Sequence, residues 1–204
     1  AAEYLEKKEA AGDDLSKRPP FDIKMEALIP VLKREIPLKA HAHRADDIMT
    51  SIRIAEEFNV RITLEHCTEG HLIIDEIVAR KLPAIVGPTF GARTKIELKN
   101  LTFKTIVDLT KAGVKTAIMT DSPVIPLDSL PLCAKFAIQH GLSKEEALRC
   151  ITLNAAEITE IADRVGSLEP GKDADIVVFD RHPMDFDAKV EMVIVDGAIV
   201  YERK

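Results

Sequence analysis

Short apolar runs alternate with longer amphipathic stretches through the middle of the chain. The runs "IPLKAH", "VRITLEH", "LPAIVG" and "VKTAIMTD" have the apolar and β-branched character of strands. The stretches that follow them, among them "RADDIMTSIRIAEEFN" and "NLTFKTIVDLTKAG", have the apolar spacing of helices. Four strand-then-helix units in series predict parallel strands that are joined by helical crossovers.

This pattern fits two architectures, an open doubly wound sheet or part of a (β/α)₈ barrel. No Gly-x-Gly-x-x-Gly motif follows any of the four predicted strands. Its absence weakens the nucleotide-binding form of the open sheet, because that form holds the phosphates with such a motif. From the pattern alone, both α/β architectures stay open.

The segments on either side of these units have their own signals. Residues 1–20 are charged and end in "KRPP", which predicts a helix followed by a break. In "DIKMEALIPVLKREI", Asp22 is a candidate N-cap of a further helix. The apolar residues that we expect on one face of this helix are Ile23, Ala27, Leu28, Val31 and Leu32. Later in the chain, Ser143 and Glu146 have the spacing of a capping box.

The chain changes character at about residue 165, where glycine and proline become frequent. "ADIVVFD" predicts a strand, and "VEMVIV" followed by "DG" and "AIVYE" predicts a β-hairpin. A β-segment of about forty residues is too small to form a core of its own, so we expect it to pair with strands from elsewhere.

Composition excludes several classes of protein. The 204 residues carry a formal net charge of −6, which argues against nucleic acid or an anionic membrane surface as a partner. No apolar run reaches the ~20 residues of a membrane span, and we expect no secretory leader, although the chain begins at Ala1 without a methionine. Three separated cysteines fit a reducing cytoplasm. Among them, Cys67 lies beside a histidine and is either a functional thiol or a small buried side chain.

Three of the predicted strands end in residues that can bind metal. The first ends in His41, the second in His66 and the fourth in Asp121. In a parallel α/β barrel the carboxyl ends of all strands lie on one face, so these side chains would converge there. Imidazole and carboxylate ligands suit zinc, and also manganese or iron. The alternative is that the histidines are hydrogen-bonded turn residues and the aspartate a helix cap.

Several segments resemble the amidohydrolase superfamily, in particular its imidazolonepropionase-like group. The resemblance begins at about residue 22 and is most specific in "ITLNAAEITEIADRVGSLEPGKDADIVVFDRHPMDFDAKVEMVIVDGAIVY". The segments "HAHRADDI", "LEHCTEG" and "IMTDSPV" are similar to those that carry the family's later metal ligands and catalytic aspartate. The resemblance implies the C-terminal half of a (β/α)₈ barrel with part of a small β-sandwich. It divides the chain into a helical segment (1–21), a partial barrel (22–164) and sandwich strands (165–204).

The resemblance also implies roles for individual residues. His41 and His66 match two metal ligands, and Asp121 matches an aspartate that contacts the metal and moves protons. We expect a divalent metal, zinc before manganese or iron, with one ion or two left open. His43 has two possible roles, facing the substrate or capping the turn.

The implied reaction is metal-assisted hydrolysis of a C–N bond in a cyclic amide or a small amide or peptide-like substrate. Asp121 would accept the proton of water and pass it to the departing nitrogen. After the third strand, Arg93 is the substrate-binding candidate, with Thr89 and Lys95 beside it, unless this loop is merely solvated. Glu65 either orients a metal ligand or pairs with a lysine.

The chain departs from the family pattern in two features. The early His-x-His pair of the family belongs well upstream of this sequence, and the bridging lysine or glutamate of a middle strand is missing. We therefore expect a fragment that pairs with the N-terminal half of the same enzyme or with a second copy of the chain. Three classes of function follow: an active amidohydrolase, a fragment that is inactive alone, and a non-enzymatic α/β module.

Overall fold

Four parallel strands form the central sheet. The computed structural model describes residues 1–204. Strands β1 (Leu38–Ala42), β2 (Ile62–His66), β3 (Ala84–Val86) and β4 (Thr116–Ile118) are hydrogen-bonded in chain order, and each neighbouring pair is parallel. An unreversed strand order is that of a barrel wall, whereas a doubly wound sheet reverses its order at a switch point. The structure therefore has the predicted fold, half of a (β/α)₈ barrel.

Helices connect the strands and flank the sheet. Those before β1 are α1 (Ala2–Ala11) and α2 (Ile23–Leu32). The crossovers contain α3 (Ala45–Glu57), α4 (Ile74–Ala79) and α5 (Lys104–Lys111). After β4 come α6 (Leu130–Gln139), α7 (Lys144–Cys150) and α8 (Leu153–Ile158). None of these helices combines the length and the apolar character that crossing a bilayer would require.

The hydrophobic core lies between the sheet and its helices. The largest side chains that are fully enclosed there come from β2, α3, α4 and α5 and include Ile48, Ile52, Leu64, Ile77, Ile106 and Leu109. On the opposite face of the sheet, Lys39 and Glu65 form an ion pair with Nζ and Oε1 3.2 Å apart. Thr63 donates its hydroxyl to the same Glu65 oxygen over 2.6 Å. The helix-covered face thus supplies the core, and the other face lines the barrel interior.

The local signals of the sequence are confirmed at two helix starts. Asp22 accepts hydrogen bonds from the backbone N–H groups of Lys24 and Met25, which caps α2. Ser143 and Glu146 form the reciprocal hydrogen bonds of a capping box at the start of α7. Each cap satisfies N–H groups that have no partner inside the helix.

The prediction that one face of α2 is buried is wrong for the N-terminal part of this helix. Ile23 is 71% exposed and Leu28 40% exposed, whereas only Val31, near the end of the helix, is buried. The reason is that α2 packs against the charged α1 and precedes β1, which has a strand neighbour on one side only. The periodicity correctly predicts a helix, but nothing in the chain covers the whole apolar face.

A second, antiparallel sheet is formed by β5 (Ile176–Phe179), β6 (Val190–Val195) and β7 (Ala198–Glu202). It contains the predicted hairpin, which turns at Asp196 and Gly197. Every residue of β7 is exposed. The segment before β6 joins this sheet to the barrel, because Met184 is buried in the main core and Asp185 forms an ion pair with Lys144. The sheet matches the part of a β-sandwich that the sequence predicts.

Candidate metal centre

Three histidines meet at the carboxyl ends of β1 and β2. Ala42 pairs with His66 in the parallel register, so His66 lies beside the residue that separates His41 from His43. The ring centroid of His66 is 4.0 Å from that of His41 and 4.5 Å from that of His43. One nitrogen from each of the three rings lies within 4.8 Å of the others. Small side-chain rotations would bring such atoms to the ~2.0–2.1 Å bond lengths of zinc–imidazole coordination.

The backbone and the loop after β3 fix the orientation of His66. This residue is 4% exposed and has a φ of 66°, which directs its ring out of the regular strand geometry. Its Nδ1–H donates to the carbonyl oxygen of Gly87 over 2.7 Å. That bond leaves the lone pair on Nε2 for a metal, which is the usual support of a metal-binding imidazole.

Only glycine fits at position 87. Its φ is 139°, and a Cβ there would lie 2.2 Å from the carbonyl oxygen of Met119. The loop after β3 therefore passes directly over the chain that follows β4. This close approach places the Gly87 carbonyl within reach of His66.

His43 is enclosed by groups that the sequence analysis did not find. The side chain is 8% exposed, and its Nδ1 lies 2.8 Å from the hydroxyl oxygen of buried Thr68. Its Nε2 lies 3.8 Å from Oε1 of Glu97, which the loop after β3 carries. Both neighbours are distant from the histidine in sequence, so no local pattern could have identified them.

Burial keeps two of the imidazoles neutral. Burial first, and then the nearby imidazole of His66, lower the pKa of His43 to about 4. Burial also lowers the pKa of His66, although the hydrogen bond to Gly87 opposes this shift. A neutral imidazole has the lone pair that a metal requires, so His66, whose Nε2 is free, is able to bind a cation at neutral pH.

A buried carboxylate supports the segment behind the histidines. Glu69, which the sequence analysis also missed, accepts the backbone N–H of Ala45 at the start of α3 over 2.8 Å. Its other oxygen accepts a hydrogen bond from the side chain of Asn100, also over 2.8 Å. Glu69 thus ties the loop after β2 to α3 and to the loop after β3. The only sequence signal was an acidic residue three positions after His66.

Asp121 lies at the same end of the sheet, but outside the cluster of nitrogen atoms. β4 ends at Ile118, and Asp121 follows in a turn with a φ of 52°. Its side chain is exposed, and its negative charge favours the charged form of His66, which partly opposes the effect of burial on the pKa of His66. The carboxylate is therefore an electrostatic neighbour of the histidine cluster.

The remaining candidates have other partners. Arg93 donates from Nη2 to the carbonyl oxygen of Leu101 over 2.8 Å, a bond that closes its own loop. Lys95 lies 3.4 Å from Glu97. Glu65 pairs with Lys39, one of its two predicted roles. Cys67 is fully buried, which raises the pKa of its thiol to about 12, so it is a core side chain at neutral pH.

Comparison with known proteins relates this geometry to a family. The model of the "Amidohydrolase family" matches residues 31–201. The crystal structure of an amidohydrolase from Thermotoga maritima superposes with a TM-score of 0.94 at 46% sequence identity, covering 99% of this chain and 53% of that one.

Two curated relatives agree with this match. "Amidohydrolase tasK" of Hapsidospora irregularis is 26% identical over 90% of this chain and 19% of its own length. An imidazolonepropionase of Streptococcus pyogenes is 29% identical over 75% of this chain and 36% of its own length. The chain thus spans about half of the Thermotoga protein and a smaller share of these relatives. Since the family model covers most of its length, the chain belongs to the amidohydrolase family.

Proposed function

We propose that this chain supplies the C-terminal part of the active site of a metal-dependent hydrolase that cleaves a C–N bond. The substrate class is a cyclic amide or a small amide or peptide-like molecule. The observation that carries the proposal is the meeting of imidazole side chains at the carboxyl ends of adjacent parallel strands, the face on which such barrels place their chemistry. Relatives that are named imidazolonepropionase support a cyclic amide as the first substrate to test.

The side chains present fit a divalent cation. His41 and His66 would hold it through imidazole nitrogens, and for His66 this is Nε2, because Nδ1–H is bound to Gly87. Zinc suits this donor set best, with manganese or iron as alternatives. A cation bound there would act as a Lewis acid on the carbonyl group of the substrate.

Asp121 is the proposed proton carrier and a further metal ligand. Its exposed carboxylate, in the turn after β4, is accessible to water and substrate on the face that carries the histidines. A carboxylate oxygen there would accept the proton of the attacking water and deliver it to the leaving nitrogen. His43 and Arg93 are the proposed substrate contacts.

A complete active site needs more strands than this chain has. Both β1 and β4 have a strand neighbour on one side only. A (β/α)₈ barrel closes on itself and so leaves no edge. We propose that an N-terminal half of the same enzyme covers these edges; pairing with a second copy is the alternative.

Metal content tests the proposed site directly. Dialysis against zinc, followed by elemental analysis, should show bound zinc in the chain, and His41→Gln and His66→Gln should each lose it. His140→Gln is the matched control, since His140 is exposed, follows α6 directly and donates a side-chain hydrogen bond only to the carbonyl of Phe136 in the last turn of that helix. Equal zinc retention by all four proteins would reject the site.

Turnover tests the proton carrier. Cyclic amides and dipeptides would be offered to the chain alone and to the chain mixed with an upstream half. Asp121→Asn should abolish hydrolysis while most metal binding remains, and Asp128→Asn, an exposed aspartate shortly after it, should retain activity. Undiminished activity of Asp121→Asn would refute the assignment. Activity only in the mixture would identify this chain as an inactive fragment by itself.

A further inference from the structure

Two histidine–threonine pairs, each with one member in the loop after β2, share one geometry. His43 Nδ1 lies 2.8 Å from Thr68 Oγ1, and His71 Nδ1 lies 2.8 Å from Thr105 Oγ1. In each pair either partner could donate the proton, because a neutral imidazole nitrogen is a donor or an acceptor according to its tautomer. The other hydrogen bonds of the two hydroxyl groups decide between these possibilities.

The hydroxyl proton of Thr105 is already donated to another acceptor. Its hydroxyl donates to the carbonyl oxygen of Thr68 over 2.8 Å, inside the protein. A hydroxyl group has a single proton, so Thr105 accepts from His71. His71 is therefore protonated on Nδ1.

Thr68 is in the opposite situation. Its side chain is buried, and its hydroxyl has no protein acceptor other than Nδ1 of His43. If His43 were the donor, the Thr68 proton would be buried without a partner, which costs about 1–3 kcal/mol. If Thr68 is the donor, its hydroxyl proton and Nδ1 of His43 both have a hydrogen-bond partner. His43 then carries its proton on Nε2.

The consequence concerns the cavity beside the cluster. His41, His43 and Glu97 line a cavity of about 280 Å³ together with polar side chains of α3. The Nε2 atom of His43 lies 3.8 Å from Oε1 of Glu97, too far for a hydrogen bond but suitably placed for an N–H group that faces an acceptor.

We propose that His43 is a neutral Nε2–H donor to an acceptor oxygen of the substrate, such as the amide carbonyl, and not a third metal ligand. This inference rests on the proposed function. His66 has the reverse arrangement, since its Nδ1–H donates to Gly87 and its Nε2 lone pair is free. Neighbouring rings of the cluster thus have different tasks, one to bind a cation and one to donate a hydrogen bond. Such a donor stabilises negative charge that develops on a carbonyl oxygen.

Nitrogen NMR of the histidine rings in the full ¹⁵N-labelled chain tests this assignment, since long-range proton–nitrogen correlations distinguish the two tautomers. Without metal, we expect His43 to carry its proton on Nε2, and His66 and His71 to carry theirs on Nδ1. Finding His43 protonated on Nδ1 would overturn the proposal. This measurement is independent of turnover.

Zinc titration of the same sample separates this proposal from the proposed function. The resonances of His41 and His66 should shift while His43 keeps its Nε2 proton, and loss of that proton on zinc addition would make His43 a ligand and contradict our inference. If no histidine shifts but His43 has the predicted tautomer, the metal site fails and the tautomer assignment stands.

Variants check the role of the hydroxyl group. Thr68→Val should leave His43 as a mixture of tautomers, whereas the matched control Thr105→Val should alter His71 and leave His43 protonated on Nε2. His43→Gln, which keeps an N–H donor, should change zinc affinity by less than about threefold, against the ~10–100-fold losses that follow damage to the support of a true ligand. An unchanged His43 tautomer in Thr68→Val, or a tenfold loss of zinc affinity in His43→Gln, would contradict the proposal.

Discussion

At the scale of single residues, the candidate site depends on groups that the sequence leaves far apart. His41 and His66 could be selected because each ends a predicted strand. The partners that orient the rings, Thr68 and Gly87, could not be selected, because their roles arise from contacts between loops. The ends of strands can be predicted from the sequence, whereas the hydrogen bonds made by the loops that cover them cannot.

Replacing Gly87 tests the support of His66. In Gly87→Ala the new methyl group would collide with the Met119 carbonyl, and the positive φ would be strained. We expect a loss of roughly 1–3 kcal/mol in the free energy of unfolding and a ~10–100-fold weaker zinc affinity. Urea denaturation and zinc titration measure the two effects. Gly91→Ala, where a Cβ meets nothing closer than 3.9 Å, is the control. Equal behaviour of the two variants would show that position 87 has no special role.

The pKa of His43 predicts how stability depends on pH. This pKa is about 4 in the folded chain, against the ordinary value of 6.5 for a solvated histidine, so the unfolded chain binds more protons between these values. The free energy of unfolding of the metal-free chain should therefore be nearly constant above pH 6.5 and fall as the pH drops towards 4. The urea midpoint at several pH values measures this. His43→Gln should show a shallower decline, and an identical pH profile for the two proteins would contradict the prediction.

At the scale of elements, patterns within a few residues predicted the structure well. The strand runs, the capping box and the hairpin depend on neighbouring residues, and the structure contains all of them. The predicted buried face of α2 is wrong, because burial depends on which other elements cover a helix. The parallel order of the strands followed from the alternation of elements, whereas closure into a barrel was implied only by the family resemblance.

The capping box of α7 offers a quantitative check. Ser143→Ala removes the side-chain acceptor of the Glu146 N–H, and we expect the free energy of unfolding to fall by about 1 kcal/mol. Ser129→Ala is the matched control, because Ser129 occupies the same position at α6 and makes no capping hydrogen bond with its side chain. Urea denaturation compares the two. If both replacements changed the free energy of unfolding equally, the capping hydrogen bond of Ser143 would contribute nothing to stability.

At the scale of the whole molecule, the parallel sheet ends in two edges and the small sheet has an exposed outer strand. Unpaired edges expose N–H and C=O groups that pair readily with other chains. We expect the isolated chain to self-associate at micromolar concentration, and an added N-terminal half to replace this association with a defined one-to-one complex. Sedimentation velocity measures both species. A monodisperse monomer that unfolds cooperatively would argue against an incomplete barrel.

The pairing of β1 with β2 has a consequence for the order of assembly. His41 and His66 belong to one β–α–β unit, and the hydrogen bond that orients His66 comes from the very next strand connection. Gly87 in turn lies against the chain that follows β4, so the proposed cation-binding pair would be oriented only once all four strands have folded. Metal binding would then come before association with the proposed half that closes the barrel, and it would favour that association.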